Sequence, residues 1–407
     1  MKKHTELPLL VDDQKLYLIE DDLKRRREEM DDFLQGLDYM NSRQFSQDVL
    51  FSHEVQANNL IEGYKDDVEL VNNVIYHRLR IKDKDKRNRI LNLYKGYKYI
   101  LEGKKISKDT VRRLYNILSK DLLSEEDTQN MGEYYRKNPV YIYRSGLMNT
   151  VIEDFPDMKS YLYFIRELYG EETMKKHSRM YSMGVHPDKV SDYMTRLYDF
   201  MKNDDTLNTG SETDIFLKSQ IMHFYFVYIH PYYDLNGRTA RTTSMWYLLN
   251  KEAYPFIIFN RGISLNKQEY YRVIHDVEKY KNVSFFLNYM MEHVRTELEK
   301  EYVMDMINSS VNGTLTSLDF QTLQYILSMK QSLTYLDFRS FYNSQNSEKK
   351  PFGEIYDNML VPLLEKGVII ERDKTHKCTP NGKENHFFEV NDKLYDKDSP
   401  KIKRLKK

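Results

Sequence analysis

The stretch Ile215 to Ile229, reading IFLKSQIMHFYFVYI, limits the fold more than any other part of this chain. It is rich in Phe, Tyr, Ile and Val and holds no helix breaker, so it reads as a helix. A helix apolar around most of its circumference is a buried one. A short loop, HPYYDLNGRTAR over residues 230–241, follows at once. A second helix is expected from Asn236 to Asn250.

The remaining pattern is mainly helical. Residues 12–35 carry Leu16, Ile19, Leu23, Met30, Phe33 and Leu34 among many charges, an amphipathic helix pattern. SHEVQANNLIEGY, residues 52–64, predicts a short helix stopped at Gly63. Helices are expected at 88–101 and 108–122, the second capped by Ser107. GEYYRKNPVYIYR, residues 132–144, clusters Tyr, Val and Ile around Pro139 and predicts a short hairpin. Residues 145–186 fit no pattern and read as an insertion. Another helix is expected at 186–203, then a polar loop over 203–214.

NSSVNGTLTS, residues 308–317, is polar and marks a boundary. After it come helical stretches at 318–330, 334–343 and 353–366, then the strand candidates VIIER and HFFEV. Three helices followed by a hairpin is winged-helix order. The expected organisation is a helical region over 1–105, a core over 106–307, a winged-helix-like unit over 312–392 and a basic tail, expected to be disordered, over 393–407.

Composition narrows the partners. Lys+Arg and Asp+Glu both number 62, so no global pull on nucleic acid or an anionic membrane is expected. Cys378 is the single cysteine, which excludes an internal disulfide and a cysteine-based zinc site. No window approaches 18 consecutive apolar residues, and the N-terminal apolar stretch is too short for a signal peptide. A cytoplasmic protein is expected.

The 230–241 loop can be read as an anion cradle. Unpaired N–H groups at a helix start carry the positive end of the helix dipole. Gly237 lets backbone approach a phosphate closely. Arg238 and Arg241 are three residues apart and so share a helix face, where their guanidiniums could grip two phosphates of one chain. Asp234 could hold a hard cation, and His230 could act as a general base. An ordinary alternative stays open on these residues alone. An acid and two arginines at a helix start also serve as caps and salt bridges.

The ordered set resembles the Fic family signature, HPFx(D/E)GN(G/K)RxxR, with Tyr232 in place of Phe and Leu235 in place of the first Gly. The resemblance extends over roughly residues 50–390. It implies a Fic helical core that moves a nucleotide part, most often AMP from ATP, onto a protein hydroxyl. His230 would then deprotonate the target Ser, Thr or Tyr, on another protein or on the chain itself. Asp234 would hold Mg²⁺ between the α- and β-phosphates. Asn236 and the Gly237 amide would position the α-phosphate, with Arg238 on the β-phosphate and Arg241 on the γ-phosphate. Residues 132–144 resemble the family's flap, which pairs with a target segment. Tyr270 and Tyr271 match tyrosines near the base, while Glu278 stands where the family has Asn. NNLIEG, residues 58–63, resembles the inhibitory motif (S/T)xxxE(G/N), with Asn58 in the Ser/Thr place. That likeness implies that Glu62 pairs with Arg241 and keeps the γ-phosphate from settling.

Three uses stay open: an adenylyltransferase autoinhibited by Glu62, a related transferase of UMP or phosphocholine, and a nucleotide-sensing regulator that binds DNA. In or near the expected second and third helices of the C-terminal unit, 334–343 and 353–366, Arg339, Lys349, Lys350 and Lys366 are few for a major-groove reader. Protein or homo-oligomer contact suits the C-terminal unit at least as well.

Overall fold

A computed structural model describes residues 4–35, 52–78, 81–143, 181–203, 210–329, 333–346, 349–372 and 387–402, with isolated residues between these segments. It is mainly helical with three small antiparallel sheets.

The chain opens with β1 (His4–Val11) and β2 (Gln14–Ile19), an antiparallel hairpin. Only then does α1 (Lys24–Leu34) begin. The helix expected over 12–35 is therefore half wrong. Asp12 and Asp13 both sit at positive φ, 49° and 60°, as a tight hairpin turn requires. Leu7, Leu9 and Val11, then Leu16 and Leu18, alternate along the strands and are fully buried. Period two placed them on one face, and that face packs on the core.

Next come α2 (His53–Ile61), α3 (Val68–Ile75), α4 (Lys84–Ile100), α5 (Lys108–Ser119) and α6 (Glu125–Asn130). The Ser107 hydroxyl accepts from Thr110 N, and Thr110 Oγ1 accepts from Ser107 N at 2.9 Å, a reciprocal cap. The hairpin expected within 132–144 does not close on itself. Its strand β3 (Tyr141–Tyr143) pairs with β4 (Tyr181–Met183), Ile142 opposite Ser182. Most of the stretch read as an insertion, 145–186, lies outside the described residues.

Then α7 (Pro187–Asn203), α8 (Glu212–Ile229) and α9 (Asn236–Asn250) follow, the last at the bounds expected. α8 and α9 pack against each other at the centre. Almost every residue of both is buried, including Phe216, Phe224, Phe226 and Trp246. α4 and α5 cover α9, while α7 covers α8. α10 (Phe259–Leu265) packs on α2, and α11 (Lys267–Tyr280) packs on the long α12 (Ser284–Ser310).

α12 joins two apolar cores. Its first half, through Leu298, belongs to the core around α8, whereas Val303, Met304 and Ile307 belong to a second core. That second core is built by α13 (Ser317–Ser328), β5 (Leu333–Thr334), α14 (Tyr335–Gln345), the consecutive turns Phe352–Ile355, Tyr356–Leu360 and Val361–Glu365, and strands β6 (Ile369–Arg372) and β7 (Phe387–Val390) in the order β5-β7-β6. The basic tail, expected to be disordered, forms a turn at Pro400–Ile402. Ile402 is 2% exposed, and Lys401 donates to the Phe33 and Gln35 carbonyls. One buried side chain and capped carbonyls are enough to hold it against α1 and α12.

Candidate active site

The site starts where α8 ends. His230 adopts φ 53° and ψ 60°, while its N–H still bonds Phe226 O at 3.1 Å. The chain thus leaves the helix in one residue. The loop after it is closed by Asn236, whose side chain accepts from Tyr232 N at 2.9 Å and donates to Tyr232 O at 2.8 Å. Tyr232 is fully buried and stacks on Tyr115 with ring centroids 3.7 Å apart. Leu235 enters α9 at φ 63°, the left-handed conformation that glycine adopts most readily. A hydrogen bond from Leu235 N to Asp234 Oδ1, 2.6 Å, supports it. Leucine therefore makes the bend that the family's glycine would make, at a strain of about 1–2 kcal/mol.

Arg136 holds this loop to the flap, and nothing in the sequence singled it out. It is 3% exposed. It donates to His230 O at 2.7 Å, to Asn138 O at 2.8 Å and to Val185 O, while its own N–H bonds Pro231 O at 3.0 Å. Burial pulls its pKa down to about 10, and the ring of carbonyls replaces its lost water. The Tyr233 hydroxyl adds a second tie, accepting from Asn138 N at 2.8 Å. A Cβ on Gly184, beside β4, would crowd Arg136 Nη2 at 3.0 Å and His230 Cβ at 3.1 Å.

The His230 ring is oriented by Val227 O, 3.2 Å from Nδ1. A carbonyl can only accept, so Nδ1 carries the proton and Nε2 is the basic nitrogen. Burial, with Arg136 nearby, pulls the imidazole down to about 4. It is neutral at physiological pH, as a general base must be.

Arg241 sits at the centre of the site's second part. Its Nη2 lies 2.5 Å from Glu62 Oε1, and its Nε donates to Asn58 Oδ1 at 2.9 Å. Asn58 in turn donates to the Tyr97 hydroxyl at 3.0 Å. The guanidinium is 1% exposed, while the Glu62 side chain keeps 28% of its surface. Burial pushes the Glu62 carboxyl up, but Arg241 and Arg238 outweigh it and hold it below the usual range. A Cβ on Gly237 would meet Glu62 Oε1 at 2.7 Å and Arg241 Nη1 at 2.9 Å. The missing Cβ that would admit a phosphate thus admits a carboxylate here.

Arg238 is 5% exposed, and its Nε finds no hydrogen-bond partner. Tyr270 and Tyr271 come from α11 and lie close enough to act on Arg241 electrostatically. The Tyr270 hydroxyl also bonds His223 Nε2 at 3.0 Å. So His230, Asn236, Gly237, Arg238, Arg241, Tyr270, Tyr271 and Glu62 converge. Asp234 is exposed at the loop's rim. Glu278 turns to His275, 3.9 Å away. Among the described residues no three His, Cys, Asp or Glu side chains gather as a metal cluster.

A family model described as Fic/DOC family matches residues 105–248. The chain is also similar in structure to a Fic family protein from Desulfovibrio desulfuricans G20, with a TM-score of 0.52 and 17% identity, over 91% of this chain and 95% of that one. A lower TM-score, 0.46 at 16% identity, relates it to Fic-1 from C. elegans, over 71% of this chain and 73% of that one. No helix among the described residues is long and apolar enough to cross a membrane. The domain match supports a Fic-type transferase acting on a nucleotide substrate, and the loop described above lies inside the matched span: the chain carries a Fic/DOC family domain at residues 105–248.

Proposed function

We propose that the protein is a protein adenylyltransferase that moves AMP from ATP to Ser, Thr or Tyr hydroxyls, its own included, and is held back by Glu62. The observation that carries this reading is the 2.5 Å contact of Glu62 with Arg241. A buried guanidinium that needs an anion is satisfied by a carboxylate from a segment some 180 positions away. A phosphate would satisfy it equally well.

In the working state His230 Nε2 takes the proton of the target hydroxyl. That oxygen attacks the α-phosphorus, the bond from the α-phosphorus to the bridging oxygen breaks, and pyrophosphate leaves. Arg238 and Arg241 hold the outgoing phosphates, where preorganised positive charge counts most. The Gly237 N–H faces the α-phosphate. The Asn236 side chain serves by bracing the loop through Tyr232. A lone exposed carboxylate at Asp234 fits Mg²⁺, which takes most of its ligands from phosphates and water and would neutralise charge on them.

The C-terminal unit is proposed as a winged-helix-like protein-contact module. Its order of helix, strand, two helices and two strands supports that reading. Two of the cations in or near its second and third helices are already engaged: Lys350 with Glu354 at 3.3 Å and Lys366 with Asp319 at 2.5 Å. That weighs against DNA.

Intact-mass measurement of Glu62→Gly, after incubation with Mg²⁺ and ATP, CTP, GTP or UTP in turn, tests the donor. A mass gain of one AMP moiety with ATP is expected. Gain only with another nucleotide would replace adenylylation by a different transfer, and no gain with any would remove the transferase reading.

A further inference from the structure

Two guanidiniums share one tyrosine ring at the edge of the site. Arg89 Cζ lies 3.8 Å from the Tyr64 ring centroid, and Arg238 Cζ lies 5.7 Å from the same centroid. Arg89 comes from α4, far from the 230–241 loop in sequence. Both Nε atoms are buried and without a hydrogen-bond partner. Neither arginine forms an ion pair among the described residues, although Glu62 acts on Arg238 through space. The carboxylate of Asp66, two residues beyond Tyr64, is engaged through Oδ1 by Lys86 at 3.0 Å, while its Oδ2 has no hydrogen-bond partner.

A cation–π contact is worth about 0.5–2 kcal/mol, which is modest for a buried N–H that lacks an acceptor. Buried guanidinium N–H groups normally find acceptors. Arg238 is buried and Arg89 half-buried, and each brings to the same ring an Nε–H that has no acceptor; phosphate oxygens are the acceptors that guanidiniums bind best. The ring they share belongs to the segment carrying Glu62. Tyr64 N bonds Asn59 O at 3.0 Å, and Gly63, at φ 91°, turns the chain between the two residues. The one turn that places a carboxylate on Arg241 therefore places an aromatic face on Arg238 and Arg89.

We propose that Arg89 and Arg238 form a polyphosphate subsite of the nucleotide donor, with Arg89 as a binding residue outside the loop motif, and that Tyr64 covers this subsite. The inference rests on the nucleotide-transfer reading and extends it to a second element. Withdrawal of Glu62 would carry Tyr64 away and expose both guanidiniums together. Tyr64 is 36% exposed, so its ring reaches solvent only in part, and its leaving would uncover the rest.

The test is equilibrium binding of AMP and ATP to full-length His230→Ala, which cannot turn over, and to the same protein carrying Arg89→Gln, Arg89→Lys or Tyr64→Ala. A lost hydrogen bond to a charged group predicts a fall in ATP affinity of about tenfold or more for Arg89→Gln. AMP binding should not change, and Arg89→Lys should recover part of the loss. Tyr64→Ala should bind ATP more tightly than its parent. ATP affinity unchanged in Arg89→Gln, or AMP and ATP weakened alike, would overturn the subsite while leaving the transfer reading intact. A parent that binds no nucleotide would overturn the transfer reading, and this inference with it. If Arg89→Gln fails to fold, the Tyr64→Ala comparison decides, and an unchanged ATP affinity there counts against the proposal.

Discussion

Replacing Glu62 with glycine should raise auto-modification and lower stability together. The carboxylate lies 2.5 Å from a guanidinium that is 1% exposed. A hydrogen bond to a charged group contributes about 1.5–3 kcal/mol. If that energy favours the held-back arrangement, removing it enlarges the competent population by about ten- to a hundredfold. The same change strips a buried cation of its partner, which costs about 3–5 kcal/mol where nothing replaces it. Asn58 still accepts from Arg241 Nε, so the loss should fall at the lower end. Saturating ATP should restore much of it, because phosphate then supplies the missing anion. The assay is initial rate by intact mass, with thermal midpoints measured with and without Mg²⁺ and ATP. Arg241→Ala should reduce the rate, and adding Glu62→Gly to it should change little, since both act through one contact. Equal rates for wild type and Glu62→Gly would refute the argument. So would a full Glu62→Gly gain in the Arg241→Ala background.

His230→Ala should abolish transfer while ATP still binds, measured by single-turnover mass and by calorimetry. Burial holds the folded imidazole down to about 4, so the base is lost only as pH falls through that value. The acid limb of the rate profile should lie near 4, and a limb near the ordinary histidine value would contradict the geometry. Leu235→Gly relieves left-handed strain of about 1–2 kcal/mol but removes a leucine that is 3% exposed, a loss of about 2–5 kcal/mol for Leu→Ala in a core. A lower thermal midpoint with little change in rate per folded molecule is expected, and a rise in midpoint would show that strain dominates. Arg136→Met leaves the carbonyls of His230, Asn138 and Val185 without their donors. At about 1–3 kcal/mol for each buried group, it should destabilise by several kcal/mol, seen in denaturant unfolding.

Where chemistry and burial coincide in consecutive residues, the linear chain was enough. The helix Asn236–Asn250 was legible to the residue because a loop of turn-formers and charges gives way sharply to continuous helix. The Ser107 cap needed only residues three apart. The N-terminal hairpin was also written locally, in the alternation Leu7, Leu9, Val11 and the paired aspartates. It was missed because Leu16, Ile19 and Leu23 also satisfy a helical spacing, and only packing on the core chose between the periods. No local pattern could show that Tyr141–Tyr143 pairs with Tyr181–Met183, or that Arg136 threads its donors into three loops. The meetings of Glu62 with Arg241 and of Arg89 with Tyr64 and Arg238 join α2, α4 and α9. Side chains so far apart along the chain meet only when helices pack, because the buried faces, rather than the residues that meet, set where each helix lies.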